Sequence, residues 1–239
     1  MMKSLHRAAG IGACFLALAT AGCASTQVSN SQNLVAGAIP RPSQIWVYDF
    51  AATPADLPPQ SSLAGQSYNA APLTDQQIAL GRQLGAGIAA DLVQQINDLG
   101  MPTANASAAT RPQLNDLVIE GALLSVQEGS AGERIGIGFG AGGSELKVAV
   151  EVFQMTQVGL RKLGSGDLNA TGNKTPGAAF GVATLIATHN PAGLIITTGM
   201  KVYGEESGSS TVKGRAVQIA KEIAGRLKTQ FQAQGWIAP

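Results

Sequence analysis

The run Leu16-Ala17-Leu18-Ala19-Thr20-Ala21-Gly22-Cys23 has the form of the end of a bacterial lipoprotein signal, with Cys23 as the residue that receives the lipid. Residues 1–7 carry Lys3 and Arg7 as a cationic lead, and residues 8–20 are apolar but too short to cross a bilayer as a helix. Cys14 lies inside that apolar segment and leaves with it, so Cys23 is the one thiol of the mature chain. No internal disulfide can then form, and the exported domain has to stand on its hydrophobic core alone. The competing reading is an ordinary secretory signal cut near Ala21 or Ala24, in which Cys23 is incidental; Thr20 stands where lipoprotein signals commonly have leucine. Ala24, rather than an aspartate, follows the cysteine, which implies sorting to the outer membrane with the domain on its periplasmic face. Several acyl chains on one cysteine make such an anchor stable.

Removal of residues 1–22 leaves about 217 residues, enough for one sizeable domain. Residues 23–43 are polar, poorly patterned and end in Pro40-Arg41-Pro42, the composition of a flexible tether. Residues 44–239 form the domain itself. Charged residues make up 13% of the chain and the net charge is +1, so there is no electrostatic footprint for nucleic acid. Aromatics at 5% argue against a stacking platform for bases or sugars.

Ile45-Trp46-Val47-Tyr48-Asp49-Phe50 is rich in β-branched and aromatic residues and predicts a first strand, with Asp49 a turn or cap residue near its end. Prolines at 54, 58, 59 and 72 bracket a long loop. Thr74-Asp75-Gln76-Gln77 is a capping box, and Ile78, Leu84, Ile88, Leu92, Ile96 and Leu99 recur behind it at helical spacing until Gly100. Gly81 and Gly85 weaken that helix by about 1 kcal/mol each, which predicts close packing of another backbone against them. Residues 101–106 read as a short strand, and 117–128, 144–155 and 160–170 as longer ones, the last two joined across Gln157-Val158-Gly159. In the middle one, Leu146, Val148, Val150 and Val152 share one side, with Lys147, Glu151 and Gln154 on the other. A final helix capped by Ser210 or Thr211 buries Val212, Ala216, Ile219, Ile223, Leu227 and Phe231. Lys213, Arg215, Lys221, Arg226 and Lys228 cover its remaining, solvated face, and Trp236-Ile237 dock back on the domain.

Two stretches resist a plain reading. Residues 133–143 contain Gly138-x-Gly140-x-x-Gly143, which matches a dinucleotide fingerprint by letter, but a strand follows where that motif needs a helix. Arg134, Gly136, Gly138, Gly140, Gly142 and Gly143 are read instead as a flexible connection and candidate interaction loop. Residues 176–200 are almost wholly apolar, in two arms broken by His189-Asn190-Pro191; they read as buried core, or as a hairpin that meets membrane or copies of itself.

Catalytic chemistry is sparse. His189 is the only histidine of the mature chain, since His6 lies in the signal; a Ser-His-Asp arrangement or a His/Cys zinc site has too few members, and no phosphate-binding P-loop occurs. Counting leaves carboxylate-only chemistry open, and Glu120, Glu128, Glu133 and Glu145 flank one hairpin. No cofactor and no metal are expected.

Arg41-Pro42 through Val47-Tyr48-Asp49-Phe50, the helix ending Leu99-Gly100-Met101-Pro102, the glycine loop from Arg134 to Leu146, Pro176-Gly177 and the Gly235-Trp236 ending together resemble the bacterial lipoprotein family called domain of unknown function 4410. That resemblance implies a lipoprotein but transfers no functional residue. The order strand, helix, strands, helix is also similar, at fold level only, to periplasmic domains of the curli-secretion channel lipoprotein and the Tol translocation protein.

The expected fold is α/β (α+β): a mixed or antiparallel sheet of four to five strands with two long helices packed on it. The expected function is that of an outer-membrane-anchored periplasmic lipoprotein, an interaction or assembly module without catalytic activity. Its partners would be the membrane, through lipid on Cys23, and a second copy or another periplasmic protein, not nucleic acid. A lipid- or small-ligand-binding role is the alternative, and a carboxylate-dependent hydrolase stands last.

Overall fold

The computed structural model of the protein describes residues 25–33, 37–64, 73–127, 144–171, 195–196 and 211–239. In chain order these form β1 (Ser25–Asn33), β2 (Ile45–Val47), a 3-10 turn (Pro54–Asp56), α1 (Asp75–Asp98), β3 (Thr103–Asn105), β4 (Leu117–Gln127), β5 (Glu145–Thr156), β6 (Gly159–Thr171), β7 (Ile195–Ile196) and α2 (Val212–Ala233). The described strands make one seven-stranded sheet in the order β1-β6-β5-β4-β2-β3, with β7 beside the far end of β4. β2 runs parallel to both β3 and β4, while β4, β5, β6 and β1 are successively antiparallel. The architecture is the expected mixed sheet with two long helices. It holds more strands than four to five, because β1 and the two-residue β7 join it.

β1 corrects the reading of 23–43 as a flexible tether. Ser25–Asn33 pairs with β6 from Ser25↔Thr171 to Asn33↔Gly164, with a bulge between Ser29 and Gln32. Further on, Gln234 at the end of α2 accepts from the Ile39 amide at 2.9 Å and donates to the Gly37 carbonyl at 3.0 Å. The segment is fastened twice to the domain. Backbone pairing, not an apolar face, makes it a strand.

The helices start and stop as their sequences dictate. The Gln77 amide donates to Thr74 Oγ1 at 3.3 Å while Gln77 Oε1 accepts from the Thr74 amide at 2.9 Å, completing the capping box of α1. Thr211 Oγ1 caps α2 by accepting from the Gly214 amide at 3.1 Å. Gly100 and Gly235 turn the chain out of each helix at φ of 79° and 71°. Beyond the second turn Trp236 lies 8% exposed with its ring 5.5 Å from that of Phe231.

Both helices cover one face of the sheet. Ile88, Leu92 and Ile96 of α1 and Ile219, Ile223 and Phe231 of α2 close over Ile45, Val47, Leu117, Ile119, Leu123, Leu146 and Val148. Phe50 is wedged between α1 and β4. A Cβ at Gly85 would stand 2.0 Å from the Phe50 carbonyl oxygen, and one at Gly121 would stand 2.3 Å from the Phe50 ring. Close approach of a backbone is thus the role of Gly85, and Gly81 is buried on the same side of the helix. Arg215 departs from the solvated face assigned to it. It is 1% exposed, donating to Ser144 Oγ at 3.2 Å and Gln218 Oε1 at 3.0 Å, because its position in the first turn of α2 lies against the start of β5.

Candidate functional site

The opposite face of the sheet carries the chemistry. In β4 and β5 three cross-strand pairs succeed one another there: Val118 with Phe153, Glu120 with Glu151, and Ala122 with Ala149. All six residues are buried. Side chains directly opposite on antiparallel strands stand about 5 Å apart at Cβ, so the two carboxylates meet between apolar pairs.

What covers them is residues 58–64, a strap crossing from the β2 side of the sheet toward β6. After β2 the chain keeps to β4, with the Ala51 amide donating to the Gly121 carbonyl at 2.8 Å. It then turns through Pro54–Asp56, where Asp56 accepts from the Thr53 amide and hydroxyl at 3.0 and 2.9 Å. Arg82 of α1 forks onto the same carboxylate at 2.7 and 3.1 Å. Burial alone would raise the Asp56 pKa, but these donors outweigh it and hold the carboxyl below its ordinary value.

The strap is latched onto the glutamate pair. Ser61 Oγ donates to Glu151 Oε2 at 2.6 Å, the Ser62 amide donates to both Glu151 oxygens at 3.1 and 3.2 Å, and the Ser62 hydroxyl adds a short contact. From β6, Lys162 Nζ reaches Glu151 Oε1 at 2.5 Å. Gln60 Nε2 donates to Glu120 Oε1. Glu120 Oε2 is buried without a hydrogen-bond partner, one of two such side-chain atoms among the described residues.

The environments push the two acids apart. Burial raises the pKa of Glu120, the Gln60 amide opposes it, the Glu151 charge adds to it, and the result is about 7. Glu151 is buried as well, yet the hydrogen bonds and charge of Lys162 with those of Ser61 and Ser62 overcome that burial and bring its pKa below the ordinary value. One carboxylate is favoured in its ionised form while its neighbour titrates near neutral pH, the division of labour that acid-base catalysis uses. Nearby Tyr48 is pushed up by burial and by Glu120, with Arg111 opposing. A cavity of about 540 Å³ lined by Tyr48, Asp49, Asp56, Gln60, Arg82 and Ser107 opens beside the strap.

Of the four carboxylates singled out in the sequence, Glu120 alone is in this cluster. Glu145 begins β5 and pairs with Lys147 at 3.0 Å, while Glu128 and Glu133 lie outside the described residues. Glu151, Lys162, Ser61 and Ser62 were not singled out as site residues. A carboxylate with apolar neighbours on both faces of its strand, as in Val118-Ile119-Glu120-Gly121-Ala122, is the signal that points to burial. Cys23, the interaction-loop residues Arg134, Gly136, Gly138, Gly140, Gly142 and Gly143, and the apolar arms of 177–200 apart from Ile195–Ile196 lie outside the described residues. Among the described residues, no three His, Cys, Asp or Glu side chains gather as a metal set, and no helix is long and apolar enough to cross a membrane.

Comparison with known proteins gives a family match over residues 45–189, to the domain of unknown function DUF4410. No curated protein matches. Among solved structures the chain is similar to the PelC dodecamer from Paraburkholderia phytofirmans, at 15% identity and a TM-score of 0.37, over 70% of this chain and 93% of that one. It is similar also to the dodecamer of a PelC variant with one leucine-to-methionine change from the same organism, at 14% identity and a TM-score of 0.36, over 70% and 92%.

Proposed function

The chain belongs to the family of the domain of unknown function DUF4410, and from that premise we propose that it is an outer-membrane-anchored periplasmic lipoprotein serving as an interaction or assembly module without catalytic activity. The observation that carries this reading is the sealing of the acid pair. Glu120 and Glu151 are 2% and 3% exposed, and the strap lies over them, bonding both oxygens of Glu151 and one of Glu120. An acid and a base that cannot touch a substrate do no chemistry. Assembly is supported by β1, whose outer side presents a nine-residue backbone edge with no neighbouring strand among the described residues. The loop residues Arg134, Gly136, Gly138, Gly140, Gly142 and Gly143 are the second contact surface, and Cys23 carries the lipid.

Native mass spectrometry and negative-stain imaging of the full-length lipidated protein in mild detergent test the reading. A discrete homo-oligomer is expected, lost on replacing Gly138 and Gly140 with Val while the circular dichroism of the monomer is kept. A monomer that captures no periplasmic protein would remove the assembly role.

A second reading has its own observation. An apolar groove of about 540 Å³, lined by Leu163, Leu168, Leu227, Phe231 and Trp236 among others, runs between β6 and the end of α2. A lipid or other small apolar ligand fits such walls, and lipid co-purifying with the protein, seen by mass spectrometry, would favour it.

A further inference from the structure

Strand register defines the two ends of the sheet. Ser25 pairs with Thr171, Thr171 with Glu145, and Glu145 with Gln127, so these four positions form one rim across β1, β6, β5 and β4. At the other end Thr156 pairs with Gly159 across a turn whose Val158 is 99% exposed. β5 has 12 residues, which at about 3.4 Å each separate the ends by roughly 40 Å.

Cys23 is joined to that rim by Ala24 alone, a span of about 7 Å when extended. A coil of the 21 residues 23–43 would allow roughly 25 Å and every orientation. β1 removes that freedom. It is paired with β6 from its first residue, and Asn30 Nδ2 donates to Asp167 at 2.7 Å. The acidic side chain on the rim, Glu145, is matched by Lys147 at 3.0 Å, so it offers no unpaired negative charge to anionic headgroups.

We propose that the rim of Ser25, Thr171, Glu145 and Gln127 faces the lipid surface, so that the domain stands on the membrane with its strands steep to the bilayer and the Val158 turn directed away. The proposal rests on lipid at Cys23 and adds to it a fixed pole, where the tether reading has none.

Single cysteines at Gln27, exposed in β1 beside the rim, and at Val158 each carry a fluorophore in the lipidated full-length protein. The protein is reconstituted in phosphatidylethanolamine–phosphatidylglycerol vesicles with nitroxide headgroups. Quenching is expected at position 27 and none at 158, and a Gly/Ser spacer inserted between Ala24 and Ser25 should abolish the quenching at 27. Equal quenching at both positions, with the acyl mass on Cys23 present in the intact protein, overturns the orientation and leaves the anchor standing. Absence of the acyl mass overturns both.

Discussion

On the helix side of the sheet Ile45, Ile119, Leu146 and Val148 meet two amphipathic helices, and dozens of weak apolar contacts share the burial. On the strap side Glu120 and Glu151 stand together under residues 58–64, which form neither helix nor strand and are fastened to the pair by directed hydrogen bonds. Apolar burial is non-directional and insensitive to pH. The strap rests on charges, and each bond it makes to Glu151 counters a desolvation cost. One sheet therefore carries a permanent cover and a conditional one.

The largest effect should come from spoiling the permanent cover. Gly85→Val places a side chain where the Phe50 carbonyl already stands 2.0 Å from an ideal Cβ, and a loss of about 4 kcal/mol or more is expected in denaturant unfolding. Stability within error of the wild type would show that α1 does not need this approach. Next comes Glu151→Ala, which removes the carboxylate that Lys162, Ser61 and Ser62 share; for a pair buried on the glutamate side only, the loss should be about 3 kcal/mol. Limited proteolysis should then cut within 58–64 while the helices stay protected, and an uncut strap would contradict the latch.

Glu120→Gln separates the two faces by pH. Below about 4.5 the Glu120 carboxyl is protonated in folded and unfolded chains alike. Between 4.5 and about 7 the folded chain keeps a proton that the unfolded chain has released, so stability falls as pH rises, by about 3 kcal/mol in all, and then levels. The Gln variant should match the wild type at the acid end and exceed it above pH 7; parallel stability curves would remove the buried acid from the account. Glu151 runs the other way, its contribution being lost as pH falls through its lowered pKa. The smallest change is Gln60→Ala, which takes a hydrogen bond from Glu120 and should cost about 1 kcal/mol, more above neutral pH, where the acceptor is ionised, than below it. An equal loss at acid pH would mean that Gln60 acts by packing.

The helix side was legible in the sequence because period and punctuation agree there: Thr74 and Gln77 open α1, Gly100 closes it, and the stripe from Val212 to Phe231 is buried as spaced. The hairpin of β5 and β6 follows from alternation and its turn, except that Gln154, read as lying opposite Leu146 and Val148, pairs with Leu117 and shares their side of the sheet. β1 was not legible, since Ser-Thr-Gln-Val-Ser-Asn-Ser-Gln-Asn has no apolar face and takes its shape from the edge of β6. Glu120 stood out as a carboxylate, but its meeting with Glu151 depends on a register across β4 and β5 that absorbs a bulge between Leu123 and Ser125. The strap, built from proline and serine with no period of its own, shows nothing of its destination. Arg215 shows the same limit: helical spacing places it beside a buried stripe, and only the arrival of β5 encloses it.

The pairing of β1 with β6 also orders events in time. Asn30 and Asp167 are 137 residues apart in the chain, so the first strand to emerge waits for one of the last. Closing so long a loop carries an entropic cost, and on a chain anchored at Cys23 as proposed, that closure would take place at the bilayer surface.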